Sequence, residues 1–146
     1  MQNDSLEFQF LNEIGIIDQL AQASAQKLLA PKLNMAQFIV LNHLARRAEA
    51  ASLVSMANAI QVTKGAMTNT VSRLEEKGYV SVDKDPTDGR GKQVSLTTAG
   101  QSVRDDAVKK ISTELQDMTG VLTPAQLEKS LVYLRKIRVW LDARRD

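Results

Sequence analysis

The 146-residue chain contains no cysteine. That excludes a disulfide framework, a thiolate metal site and a cysteine redox switch. His43 is the single histidine, so a multi-histidine metal site is excluded as well. Carboxylates alone remain as ligands, and no metal or other cofactor is expected. No apolar run approaches the roughly 18–20 residues that span a bilayer. Asp4 and Glu7 stand near the start in place of a basic, apolar leader, so a cytoplasmic location is expected. There is no nucleophile–base pair, no glycine-rich phosphate loop after a strand and no paired carboxylates of catalytic type. Glu75-Glu76 and Asp105-Asp106 read as charges on helix surfaces, and an enzyme is not expected.

What is present is ordinary in bulk and uneven in detail. Hydrophobic residues make up 43% and charged residues 25%, the composition of a globular chain. The net charge is +2. Residues 1–30 carry Lys27 against Asp4, Glu7, Glu13 and Asp18, a net −3, which leaves +5 on residues 31–146. Such a balance permits a nucleic-acid partner without requiring one.

Periodicity reads as helix along most of the chain. Leu6, Phe10, Ile14, Ile17, Ala21 and Leu28 recur at helical spacing. Asp4 with Glu7 predicts a capping-box start, and Pro31 closes the segment. A second row, Phe8, Ile16 and Leu20, makes the apolar face wider than one packing partner needs. Asn34 with Gln37 predicts the next cap, followed by Phe38, Leu41, Leu44 and Ala45 on one face. Residues 48–51 bridge to Ser52, which caps a short helix carrying Leu53, Met56, Ala57 and Ile60. Thr63 caps another, packed by the narrow stripe Met67, Val71 and Leu74 and ended by Gly78.

The period then becomes two. Val80 and Val82 alternate with polar residues, as do Val94 and Leu96, around the turn-rich run Asp85–Gly91. This predicts a β-hairpin with a long polar tip. Thr97 or Thr98 caps a fifth helix with Val103, Ala107, Ile111 and Leu115 in phase, broken by Gly120. Thr123-Pro124-Ala125-Gln126 restarts a sixth. Leu127, Leu131, Leu134, Ile137 and Leu141 lie on it, and Val132, Tyr133, Val139 and Trp140 widen its apolar face too.

A short helix, a tight turn, a second helix and a hairpin make a winged helix-turn-helix. The second helix buries one stripe and leaves Lys64, Gly65, Thr68, Asn69 and Ser72 outward. Those side chains are short and polar, fit to enter a major groove. Thr63, Lys64 and Gly65 lie at the helix N-terminus, where free N–H groups favour a phosphate. Arg73 lies within reach of the DNA backbone. Arg90 and Lys92 form a cationic tip suited to a narrow minor groove.

The run Gln61 to Val80, followed by Asp85 to Gly100, resembles the MarR family of bacterial transcription regulators. Its most specific part is the wing: Asp88, one residue, Arg90, then Val94-Ser95-Leu96-Thr97 and Gly100. Met35 to Leu41 is similar to the family's second helix, and helix order and chain length match throughout. The resemblance implies a mainly α (α+β) fold, a two-stranded wing and an obligate homodimer. It implies a single domain over residues 1–146, with a DNA-binding lobe near 33–98 and dimerisation helices near 4–30 and 99–144. It assigns DNA contacts to Lys64, Gly65, Thr68, Asn69, Arg73 and Arg90, with Asp88 orienting Arg90 through a salt bridge. Gly65 replaces a small hydroxyl residue common in the family, and Asn69 replaces a longer basic one. Gly89 and Gly91 flank the wing arginine and imply a mobile tip. Without cysteine, the chain falls outside the peroxide-sensing branch.

Many members respond to a small phenolic or lipophilic molecule between the dimer helices and the lobe. By that resemblance Phe10, Ile14, Phe38, His43 and Trp140 are candidates for the lining. Double-stranded DNA with a pseudo-palindromic operator, a second copy of the chain and a small aromatic or lipophilic effector are the expected partners; a membrane is not. Two readings compete with a ligand-released repressor: a winged-helix protein-interaction module, and a non-specific DNA binder without a ligand.

Overall fold

The computed structural model describes residues 3–47 and 49–145. Ala48, in the expected bridge, lies outside them. The described residues form α1 (Leu6–Leu29), α2 (Met35–Ala45), β1 (Ala51–Ser52), α3 (Leu53–Ile60), α4 (Lys64–Glu76), β2 (Val80–Lys84), β3 (Lys92–Leu96), α5 (Thr98–Glu114) and α6 (Pro124–Asp142).

The caps set the helix starts. Ser5, not Asp4, caps α1: its hydroxyl accepts the Phe8 N–H at 3.2 Å. Ser5 has the extended backbone a cap requires, whereas Asp4 offers its carbonyl oxygen to Gln9 Nε2. The Asn34–Gln37 capping box forms in full. Ser52 caps α3 and Thr63 caps α4. Thr97, rather than Thr98, caps α5, accepting the Gly100 N–H at 3.0 Å. Thr123 and Gln126 close a reciprocal box at the start of α6.

Residues 1–111 form one compact unit. Its core gathers Val40, Leu41 and Leu44 of α2, Leu53, Met56 and Ala57 of α3, and the stripe Met67, Val71 and Leu74 of α4. Val80, Val94, Val103 and Ala107 complete it from the strands and α5. On α2 the buried face includes Gln37 and Val40, while Phe38 and Ala45 are only half-buried. The α2 sequence is apolar nearly all round, so its alternative faces look alike by pattern.

The wing hairpin pairs Val80 with Leu96 through Lys84 with Lys92. A third strand joins it. Ala51 and Ser52 pair antiparallel with Val94 and Gln93, giving the order β1-β3-β2. Two residues are too few to show a period, which hides this strand from pattern reading.

Residues 112–146 form a second compact unit. Helix α5 ends at Glu114, short of Gly120, and a 3-10 turn covers Gln116–Gly120. The Met118 N–H reaches back three residues to the Leu115 oxygen, so the chain tightens and Leu115 falls outside the helix, half-exposed. No α6 residue is buried. Among the described residues no helix is long and apolar enough to cross a membrane.

One junction holds the lobe together. Gly78 ends α4 with φ of 75°, and the Tyr79 N–H closes on the Leu74 oxygen. Thr97 donates its hydroxyl to the Gly78 oxygen at 2.7 Å and its N–H to the Tyr79 oxygen. Gly100 lies against the same carbonyl: an added Cβ would fall inside the Tyr79 oxygen and 2.9 Å from Leu96 Cδ1. Neither backbone can yield without breaking the Thr97 bonds. Gly100→Ala is therefore expected to destabilise the protein by about 1–3 kcal/mol or more, read as a lower urea midpoint. Gly65→Ala, where an added Cβ meets nothing within 4 Å, is the control and should leave that midpoint equal or higher.

Candidate nucleic-acid interface

The turn between α3 and α4 is tight because Gln61 adopts the left-handed conformation, φ 60°. The Val62 N–H bonds the Ala57 oxygen, and Gln61 Nε2 bonds the Asn58 oxygen. Helix α4 then turns Met67, Val71 and Leu74 into the core. The opposite side is exposed, and carries Lys64, Gly65, Thr68, Asn69, Ser72 and Arg73. The expected group on α4 is thus brought onto one open surface.

Two hydroxyls there already have local partners. Thr63 Oγ1 accepts the Ala66 N–H at 3.1 Å, and Thr68 Oγ1 donates to the Lys64 oxygen at 2.9 Å. Thr63 keeps its own proton to give to a phosphate, and Thr68 keeps lone pairs to accept from a base edge. Gly65 leaves the first turn bare, so another backbone can approach it closely.

Local hydrogen bonds cross the wing tip. Asp85 Oδ1 accepts the Thr87 N–H and hydroxyl. These bonds hold the Asp85 carboxyl below the usual carboxylate range, the backbone N–H contributing most. Asp85 N–H bonds the Gly91 oxygen, and Gly91 N–H the Asp88 oxygen. Asp88 does not form the expected ion pair with Arg90. Its Oδ1 accepts the Arg90 backbone N–H at 3.0 Å, because two residues within a tight turn put that N–H nearer than the guanidinium. Asp88 therefore shapes the turn that presents Arg90. Among the described residues, none of Lys64, Arg73, Arg90 and Lys92 is held in an ion pair. All four are exposed and available to a polyanion.

The five candidates for an effector lining lie on α1, α2 and α6. Phe10 is exposed and Ile14 half-buried on α1. Phe38 is half-buried against the core, and His43 is half-buried in the last turn of α2. Trp140 belongs to the second unit, its ring covered by the Arg144 guanidinium at 4.4 Å. A cavity of about 710 Å³ opens between the end of α2, the end of β3 and the start of α5, lined by Arg47, Thr97 and Asp105 among others. A smaller one of about 240 Å³ lies between the end of α1 and α5. None of the five candidates lines either cavity. Among the described residues, no cluster of three or more His, Cys, Asp or Glu could hold a metal ion.

A family model described as the MarR family matches residues 32–91, from just before α2 to the wing tip. The multiple antibiotic resistance protein MarR of Escherichia coli (strain K12) is 29% identical over 126 residues, 85% of this chain and 87% of that protein. The transcriptional regulator BldR from Sulfolobus solfataricus matches with a TM-score of 0.81 at 28% identity, over 95% of this chain and 99% of that one. The chain is similar to MarR-family regulators, by the family model from just before α2 to the wing and by these relatives along most of its length. A mutant of E. coli MarR complexed with operator DNA matches with a TM-score of 0.70 at 27% identity, over 92% of this chain and 99% of that one. The winged lobe described above is similar to the lobe of these regulators.

Sequence reading missed two charged ties inside it. Lys77 Nζ, at the end of α4, donates to the Lys32 oxygen and to Gln37 Oε1. Arg104 Nε and Nη2 donate to Asn42 Oδ1, joining α5 to α2. Contacts between residues 40 and 62 positions apart leave no periodic signal.

His43 carries a pH signature. Burial holds its pKa below the ordinary value, and the Arg47 and Arg46 charges lower it further. The folded chain then gives up the proton at a pH where the unfolded chain, near 6.5, still keeps it. Stability should fall as pH drops through about 6.5 towards the folded-state value. His43→Gln should flatten that fall, measured as urea midpoints between about pH 5 and 8.

Proposed function

We propose that this chain is a MarR-family, homodimeric, sequence-specific DNA-binding repressor, located in the cytoplasm and released from DNA by a small aromatic or lipophilic effector. The observation that carries the reading is the outward face of α4: short polar side chains and unpaired cations opposite a buried stripe. In this reading Thr63, Lys64, Gly65, Thr68, Asn69, Ser72 and Arg73 contact the major groove and its phosphates. Arg90 and Lys92 grip the flanking minor groove, on a turn that Asp88 shapes. The operator complex of the related E. coli protein supports the same use of the lobe. No catalytic role is assigned.

The lobe spans about residues 33–98, and the helices near 4–30 and 99–144 build the dimer. Both terminal helices leave large apolar side chains exposed: Leu6, Ile17 and Leu20 on α1; Leu131, Val139 and Trp140 on α6. Contiguous apolar faces of that kind are buried on a partner. Two recognition helices then reach successive major grooves about 34 Å apart. An effector that prefers another lobe spacing releases DNA only to the extent of its differential affinity for the two spacings.

Selection from a pool of random duplexes across a salt series tests the reading. A two-fold-symmetric site should enrich, with affinity falling by a log–log slope of about −0.9 per neutralised phosphate. Salt-sensitive binding without enrichment makes the protein a non-specific binder, and no binding makes it an interaction module. On the enriched site, Arg90→Ala should cost about 1–3 kcal/mol; unchanged affinity removes the wing from the interface. Leu131→Glu with Leu134→Glu should give a monomer by analytical ultracentrifugation that has lost operator binding. A folded monomer that still binds tightly would contradict the interface assignment.

A further inference from the structure

Helix α4 is anchored to the lobe chiefly by an apolar stripe, and apolar contacts have no direction. They fix which side faces inward but resist roll and slide weakly. A hydrogen bond to a charged group has both direction and strength. The C-terminal end of α4 makes one. Lys77 caps that end, its N–H bonded to the Arg73 oxygen at 3.2 Å. Its ammonium reaches away from the outward face, donating to the Lys32 oxygen at 2.7 Å and to Gln37 Oε1 at 3.2 Å.

The acceptor is unusual. Among the described residues Gln37 is the buried polar one, 4% exposed. Its Oε1 also accepts the Asn34 N–H at 3.1 Å in the α2 capping box, so both lone pairs of that oxygen are filled. Removing Lys77 takes away the charged partner of that oxygen and leaves it the Asn34 N–H alone. The other acceptor, Lys32, lies in the loop that leaves α1. One ammonium therefore locks the end of α4 to the first turn of α2 and to the exit of α1.

We infer that Lys77 is a positioning residue for DNA recognition, setting the roll of α4 through Gln37 and Lys32 rather than touching DNA. This rests on the DNA-binding reading above. Base edges are read by side chains that must be placed to within about 0.5 Å. Phosphates tolerate looser placement because they contribute largely sequence-independent electrostatics. Loss of the tie should therefore weaken operator selection more than general DNA binding.

The test uses the full chain, the duplex enriched by the wild type and a mixed-sequence duplex of equal length, each across a salt series. Lys77→Met should bind the enriched duplex roughly tenfold more weakly, the scale of one hydrogen bond to a charged group. Its affinity for the mixed duplex and its salt slope should barely change. Gln37→Met should show the same selective loss, although so buried a residue has no route to DNA. The double variant should be no worse than Lys77→Met, and Lys77→Arg should recover most of the selectivity.

Two results overturn the inference. If Lys77→Met weakens both duplexes alike and shallows the salt slope by about 0.9, Lys77 contacts a phosphate. If the variants melt earlier but select as the wild type does, the tie is a structural brace alone. Should Gln37→Met not fold, Gln37→Glu takes its place. It keeps the cap and an acceptor for the ammonium, so it should select normally beside Lys77. Combined with Lys77→Met it strands a buried carboxylate and should fall below Lys77→Met alone; no further fall overturns the inference. A wild type that enriches no sequence overturns the DNA reading itself, and is seen before any variant is made.

Discussion

Three side chains decide which way α4 faces. Met67, Val71 and Leu74 are buried almost completely, each contributing on the order of 1.5–3 kcal/mol by leaving water. Nothing else on the helix is buried. Turning the helix by half its circumference would expose all three and bury Lys64, Asn69 and Arg73 without partners, at a cost far above the total stability of a small domain. The outward face is thus polar by consequence: whatever does not serve the core is left facing outward. The same logic shapes the wing, where Val80 and Val94 are buried, Lys92 starts β3 and Arg90 lies on the turn.

The terminal helices show the opposite situation, an apolar demand their own unit leaves unmet. In α1 only Leu29, at its last turn, is buried, and in α6 no residue is. Taken alone, the described chain holds Ile17, Leu20, Val139 and Trp140 in water. A second copy is the simplest remedy, since a two-fold interface uses the same patch twice. In the proposed reading, a two-fold-symmetric operator matches the symmetry of such a dimer.

Much of this was legible in the sequence, and the reasons are physical. The bounds of α3, the stripe on α4 and the caps at Asn34, Ser52, Thr63 and Thr123 are local features, set by residues within one or two turns. The hairpin is nearly as local, because Val80, Val82, Val94 and Leu96 alternate around a run of turn formers. Errors arose where local rules were degenerate or silent. Asp4 has the capping-box spacing to Glu7, but Ser5 is a cap-type residue too, and the backbone chooses Ser5. Helix α2 is apolar nearly all round, so its buried side depends on neighbours. β1 is two residues long and exists only because β3 offers it an edge. The Asp88–Arg90 relation was right in partners and wrong in atoms, since sequence shows proximity but not whether a carboxylate meets a guanidinium or an N–H.

The deepest information missing from the sequence concerns orientation. Lys77 reads as an unremarkable cation at a helix end, where the dipole alone explains it. Gln37 reads as the third residue of a capping box. Only the fold brings them within 3.2 Å. A comparable tie lies further along α2, where Arg104 donates twice to Asn42 Oδ1 at 3.1 and 2.7 Å. Helix α2 therefore faces α4 at one end and α5 at the other through charged, directional bonds, while its apolar residues fill the core between. Apolar burial would hold these three helices together in many similar arrangements. Two cations, each matched to one side-chain oxygen of α2, add direction to that packing, which apolar contacts alone do not supply.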